Sequence, residues 1–397
     1  MENQTQAPII EKKLKRKRFD LFDAGFACVC FIILQLIFSL LIQVFRESIL
    51  GHAWLYYIAQ FLVEAVFIVA SLIVSASRNV EFVKATTYNK KLDWKVALLC
   101  VAVSAICIFG FSSLTNVFVY SLQKLGYSSA IGSMSIPNFG IYILYVFLMC
   151  VVPAVFEETL FRATILNGLR EKGKTYAILM SALIFMLMHG GPDQTIHQFI
   201  LGVILGYVFV YTGSIWATVL IHFLNNFYAV TAIYIMNMHS TNGGATEVAE
   251  ELPSWGSLAI TLVVGLAIAS IASYLIYLCI KGMILSRKSA EKKQHEKFDA
   301  LLEKETLTKE DLAWIKKYEA DKDEYAVYDK QDKERMLAKQ QALLAKQNAE
   351  TNGGAENIET ATIPKKKVNT GYVIMLTLSL IWLVAEWILT LVSGFLR

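Results

Sequence analysis

Charge is what this sequence has least of. Asp, Glu, Lys and Arg make up 18% of its 397 residues, where a soluble domain carries roughly a quarter. What charge there is lies unevenly. Residues 286–369 hold 18 of the 37 Lys and Arg and 17 of the 33 Asp and Glu, which leaves 35 charged residues for the other 313. A soluble enzyme does not fit that distribution. The net charge of +4 is too small and too local to attract a polyanion, so nucleic acid is not expected as a partner. Paired CxxC motifs are missing too. Cys28, Cys30, Cys100, Cys107, Cys150 and Cys279 all lie inside apolar runs and read as small packing residues, not as disulfides or a zinc cage.

What the chain has in excess is hydrophobic residues, 55% of the total. Runs of the roughly 17–25 apolar residues that cross a bilayer fall at about 20–45, 54–76, 96–120, 139–169, 175–190, 196–212, 215–237, 256–283 and 371–395. The fourth is longer than a span and should continue as helix past the membrane edge; the fifth is short and can be partial or tilted. The first is too long for a cleaved signal peptide, and no small-residue cleavage site precedes the next run. Lys and Arg set the orientation. Lys12 to Arg18, the loop with Arg78, Lys84, Lys90 and Lys91, the loop with Arg170, Lys172 and Lys174, and the block after Lys281 are all expected in the cytoplasm. The segments 46–53, 121–138 and 238–255, poor in Lys and Arg, are expected outside. The expectation is an all-α polytopic protein of the cell membrane with eight to nine transmembrane helices, its N-terminus cytoplasmic.

Three regions follow: a transmembrane core at 1–285, a charged cytoplasmic segment at 286–369 and a final span at 370–397. The middle segment lacks a long apolar run, but Glu296–Glu305 and Asp332–Gln347 are rich in Leu, Ala, Lys and Glu. Thr308 with Asp311 resembles an acidic capping box, and Asn352-Gly353-Gly354 breaks the pattern before the last span. A few amphipathic helices joined by flexible linkers are expected there, read on charge patterning as a solvated helical linker, with no signal for what they would dock on.

Ionisable groups inside a bilayer are costly, so each is a functional candidate. They are Glu64, Glu157, Glu158, Arg162, His189, His222 and Glu386. In Phe156-Glu157-Glu158-Thr159-Leu160-Phe161-Arg162, Glu158 and Arg162 are four apart on one helical face, with Glu on the favourable N-terminal side. Glu157 points about 100° away and is left for chemistry, since an unpaired buried carboxylate can serve as a general base. Phe185 and His189 share a face ahead of the breaker Gly190-Gly191-Pro192. His222 and Asn226 also lie one turn apart, and both can donate hydrogen bonds to a common point, as an oxyanion requires. Taken singly, these could be an interfacial ion pair, a helix cap and an interhelical hydrogen bond. Glu158, His189 and His222, however, lie roughly 18, 22 and 12 Å from Arg170, Lys174 and Ser214 at the ends of their helices, depths that tilt can equalise. Glu64 and Glu386 are lone acids without an evident partner. Gly202 and Gly206 read as a close-packing GxxxG.

In that order, Glu-Glu-x-x-x-Arg, Phe-x-x-x-His and His-x-x-x-Asn resemble the CPBP family, the CAAX proteases and bacteriocin-processing enzymes also called Abi proteins. Leu201 to Tyr207 and Thr212 to Ala217 add to the resemblance, which covers about 139–235. It implies an intramembrane endopeptidase acting on a membrane-associated peptide or protein. By position, Glu157 would activate water with help from His189, His222 and Asn226 would form the oxyanion hole, and Glu158 with Arg162 would hold the helix. Members are often labelled metalloproteases, and Glu157, His189 and His222 can offer zinc three ligands and an open position. The pairing of His222 with Asn226 favours a metal-free route, because Asn is a poor zinc ligand. His-Glu-x-x-His and Gly-x-Gly-Asp are both absent, and neither Ser133 nor Ser214 is placed with a histidine as a nucleophile. The competing expectations are a non-catalytic scaffold or immunity-type protein, with 286–369 as its arm, and a transporter using Glu and His as a proton relay.

Overall fold

A computed structural model describes residues 16, 18–128, 135–239, 252–302, 308, 310, 311, 313–315 and 370–396. Among them the chain is all-α without strands, and eight helices are long and apolar enough to cross a membrane. The main helices are α1 (Leu21–Val44), α2 (Ala53–Ser77), α3 (Trp94–Lys124), α4 (Phe139–Lys172), α5 (Lys174–Met188), α6 (Thr195–Thr212), α7 (Ile215–His239), α8 (Trp255–Leu302) and α9 (Thr370–Phe395). The short one is α5, at 15 residues or about 22 Å.

Local chemistry sets the boundaries. Asp20 opens α1 with a reciprocal capping box to Asp23, Asp93 caps α3, and Asn138 caps α4. The left-handed glycines Gly190 and Gly213 stop α5 and α6. Two ends of the bundle are distinguishable by hydrogen bonds. At one, Arg16 pairs through its backbone with Asn79 and Glu81, and its side chain and that of Arg78 clasp the fully buried Asp23 at 3.0 and 2.9 Å. Gly168 lies against the Asp20 carbonyl, where no Cβ would fit. Trp216 donates to the Tyr88 carbonyl and Arg287 to that of Tyr211. At the other end Ser128 bonds the Gly394 carbonyl and Ile136 bonds Asn237. The segments expected to be cytoplasmic that are described all gather at the first end.

Small residues allow close approach between helices. Gly202 and Gly206 of α6 lie against Ala182 and Ile178 of α5, and Gly110 of α3 meets Ala272 of α8. The final helix is not peripheral to this packing. It runs along α1 and α5, with Tyr372 hydrogen-bonded to Tyr176 at 2.9 Å and Trp387 to Thr195 at 3.0 Å. One boundary differs from expectation. The span beginning at Trp255 does not end near residue 283 but continues without a break to Leu302, 48 residues in all. That is about 72 Å, over twice the hydrocarbon thickness. Lys, Glu and Ala carry the helix onward because nothing in 284–302 breaks it. Thr308 and Asp311 do form the reciprocal capping box. The expected helix at Asp332–Gln347 and the Asn352-Gly353-Gly354 break lie outside the described residues.

Candidate active site

The site is built on α4, and α4 is not a uniform α-helix. It widens to π-helix at Val146–Val151 and again at Thr159–Leu166, flanking the α-helical turn Val152–Glu158 that carries both glutamates. Such widening recurs at functional positions. Its cause is partly visible. Pro153 has no N–H, so the carbonyl four residues back, on Met149, loses its helical donor. Asn226 of α7 supplies one, its Nδ2 lying 3.0 Å from that oxygen. In the second widened stretch, Thr164 bonds back to the Thr159 carbonyl and to Ser71 of α2, and Ser181 of α5 donates to the Phe161 carbonyl. Tyr88, from the loop before α3, bonds the Thr159 hydroxyl. Its phenol is pushed above the usual value, first by burial and then by the nearby Glu158 charge, with the Thr159 bond acting the other way.

Glu158 and Arg162 form the expected i,i+4 ion pair at 2.8 Å, both fully buried. The same Glu158 oxygen receives His222 Nδ1 at 2.9 Å. A carboxylate held by Arg162 can only accept, so His222 carries its proton on Nδ1 and presents Nε2 away from Glu158. His189 is oriented by the same logic. Its Nδ1 donates to the Phe185 carbonyl at 2.8 Å, which turns Nε2 inward. Both Nε2 atoms face one target, Glu157 Oε2, at 3.8 Å from His189 and 4.0 Å from His222. Phe185 organises all three helices. Its ring lies 4.6 Å from His189, 5.9 Å from His222, and 4.3 Å under the Arg162 guanidinium. The Phe of Phe-x-x-x-His is therefore a fully buried hub.

Five of the six sequence-derived residues, Glu157, Glu158, Arg162, His189 and His222, meet in this cluster. Asn226 is one turn from His222, with one amide N–H committed to Met149; an amide nitrogen has a second. Two neighbours had no sequence signal. His197, at the start of α6, bonds Asn225 at 3.2 Å, and Asn225 in turn bonds Asn226. No helical spacing ties His197 to the motifs, so only the fold could bring it here. Glu64 of α2 did stand out as a lone acid, and its partner is Glu157, within hydrogen-bonding reach.

The donor set suits zinc in type but not in spacing. Two ligands on a tetrahedral zinc lie about 3.3 Å apart, and the separations here are 3.8 and 4.0 Å. Among the described residues no group of three His, Cys, Asp or Glu is spaced to hold a metal ion.

Fold and site together define a polytopic helical membrane protein with a carboxylate–imidazole centre buried between α2, α4, α5 and α7. Residues 139–228 match the family model described as type II CAAX prenyl endopeptidase Rce1-like, about a quarter of the chain. The match supports assigning the chain to the CPBP family of CAAX-type intramembrane proteases. No curated protein and no solved structure matches it.

Proposed function

We propose that the chain is an intramembrane endopeptidase in which Glu157 activates water. The observation that carries this reading is the aim of two fixed Nε2 atoms at Glu157 Oε2, while Glu158 is consumed by Arg162 and His222. Two adjacent carboxylates thus have separate roles, one structural and one chemical. A water between Glu157 Oε2 and His189 Nε2 gives one proton to Glu157 and hydrogen-bonds His189 with the other. Its oxygen adds to the scissile carbonyl carbon. The resulting oxyanion is met by the second N–H of Asn226 and by an N–H that His222 already carries on Nε2 before the water adds and keeps through the collapse, its charge balanced by Glu158. Collapse breaks the C–N bond, and the proton taken by Glu157 passes to the departing amine. One carboxyl and one amine result, so the atoms balance without a further reactant. No step is routed through a metal.

Substrates are membrane-associated peptides or proteins, reached from the bilayer. By the excess of Lys and Arg on cytoplasmic loops, we read the end that gathers Arg16, Arg78 and Arg287 as the cytoplasmic one, with the N-terminus and the charged segment after α8 inside the cell. The test uses the full chain in nanodiscs with an internally quenched, farnesylated peptide ending in a CAAX sequence. Wild type should cleave it, and Glu157→Gln should lose cleavage at unchanged thermal stability. Undiminished cleavage by Glu157→Gln would end the reading.

A further inference from the structure

Glu64 lies midway along α2, 13 residues or about 20 Å from Ser77, and Glu157 lies 15 residues or about 22 Å from Lys172 at the same end of the bundle. The two acids therefore share a depth. The packing of α2 on α4 fixes them there. Phe61 meets Phe156 edge-on at 6.0 Å and Phe67 meets Phe161 at 5.8 Å, so Glu64 is held between two aromatic contacts. The carboxyls come within hydrogen-bonding reach. Neither Oε2 atom is exposed, and neither has a hydrogen-bond partner.

Two carboxylates in contact, away from water, cannot both be ionised. The groups facing Glu157 decide which one keeps the proton. From α4 these are Glu158 and Arg162, from α5 His189, from α7 His222, and from α2 Glu64 itself; His197 of α6 stands behind His222. The cationic and basic groups of that set, Arg162, His189 and His222, act on Glu157, and the Glu158 charge is already paired with Arg162. Among the described residues no ion pair reaches Glu64.

We propose that Glu64 is a positioning residue of this centre: as the neutral acid it donates its carboxyl hydrogen to Glu157, holding that carboxylate with Oε2 turned to the two histidines. The inference deepens the peptidase reading and rests on it for its catalytic consequence. A charge-assisted bond of this type is lost when the donor is lost and kept when an amide replaces the acid.

The experiment takes wild type, Glu64→Gln, Glu64→Leu and Glu157→Gln as full chains in nanodiscs, each checked by thermal melting. Infrared difference spectra should show a protonated-carboxyl band in wild type that disappears in Glu64→Gln. With the farnesylated CAAX peptide, Glu64→Leu should lower kcat by about 10–100-fold with KM within about twofold. Glu64→Gln should stay within about threefold of wild type. A band that survives in Glu64→Gln, a kcat in Glu64→Leu equal to wild type, or a Gln variant as impaired as the Leu variant overturns the proposal. If wild type cleaves nothing while the band vanishes in Glu64→Gln, the peptidase reading fails and the carboxyl pairing stands, so the two failures are distinguishable.

Discussion

Replacing Arg162 by Met tests the electrostatic frame of the site most directly. The guanidinium and the Glu158 carboxylate are both fully buried and 2.8 Å apart. At an effective dielectric constant of about 20, that separation corresponds to an attraction of about 6 kcal/mol. Met fills similar volume and removes the charge, so the loss is electrostatic rather than a cavity. Glu158 would then face only His222. Stranding one partner of a buried pair costs about 3–5 kcal/mol, to which the loss of the cation–π contact with Phe185 at 4.3 Å adds about 1–2 kcal/mol. Adding Glu158→Gln should return part of that cost, because no buried charge is then left unpaired. The assay is a double-mutant cycle of unfolding free energies in detergent, with Arg162→Met, Glu158→Gln and the double variant. The double variant should be more stable than the sum of the singles predicts, by at least about 2 kcal/mol. Strictly additive costs, or a loss below about 1 kcal/mol for Arg162→Met, would refute the reasoning.

Asn226→Leu should destabilise the protein by about 1–3 kcal/mol by orphaning the Met149 carbonyl; adding Pro153→Ala, which restores a backbone donor there, should recover stability but not cleavage. His189→Ala should lower kcat by about 100-fold or more while leaving the melting temperature within a few degrees, measured on the farnesylated peptide. Chelation should leave cleavage unchanged and zinc should be substoichiometric in purified protein, as determined by elemental analysis; zinc-dependent reactivation would count against the spacing argument. Tyr88 is held protonated above its usual value by burial, so its contribution to stability is complete below about pH 10 and is lost as pH rises through the folded value. Tyr88→Phe should therefore unfold less steeply with alkali than wild type, followed by circular dichroism.

What spacing could reveal was whatever lies within one helix. Glu158 with Arg162, and Phe185 with His189, are neighbours through the 3.6-residue repeat alone, and both contacts appear as the repeat requires. Scarcity of charge did the rest, since a Glu in an apolar run is conspicuous whatever it touches. Contacts between helices were another matter. His222 and Asn226 share a face, so the sequence offered them a common target, but α4 and α7 run antiparallel and that face meets two different partners. His222 reaches Glu158, and Asn226 reaches Met149 nearer the opposite end. The span that continues to Leu302 was hidden for a different reason: hydropathy marks where a helix leaves the membrane, not where it ends.

The Met149 contact also explains why a proline can stand four residues before the central glutamate. A proline inside a membrane helix leaves a carbonyl without a donor in a medium that offers no water. Here the donor comes from α7, the helix that also carries His222. Repair of the backbone and assembly of the site are thereby the same event, because the bond that satisfies Met149 cannot form unless α7 lies where His222 reaches Glu158. The widened turns on either side of Val152–Glu158 let Glu157 and Glu158 leave α4 toward different neighbours: Glu158 toward Arg162 and His222, Glu157 toward Glu64 and the Nε2 atoms. Two adjacent, identical side chains are made chemically unequal by what each helix brings to them, and that inequality is what a general base beside a structural carboxylate requires.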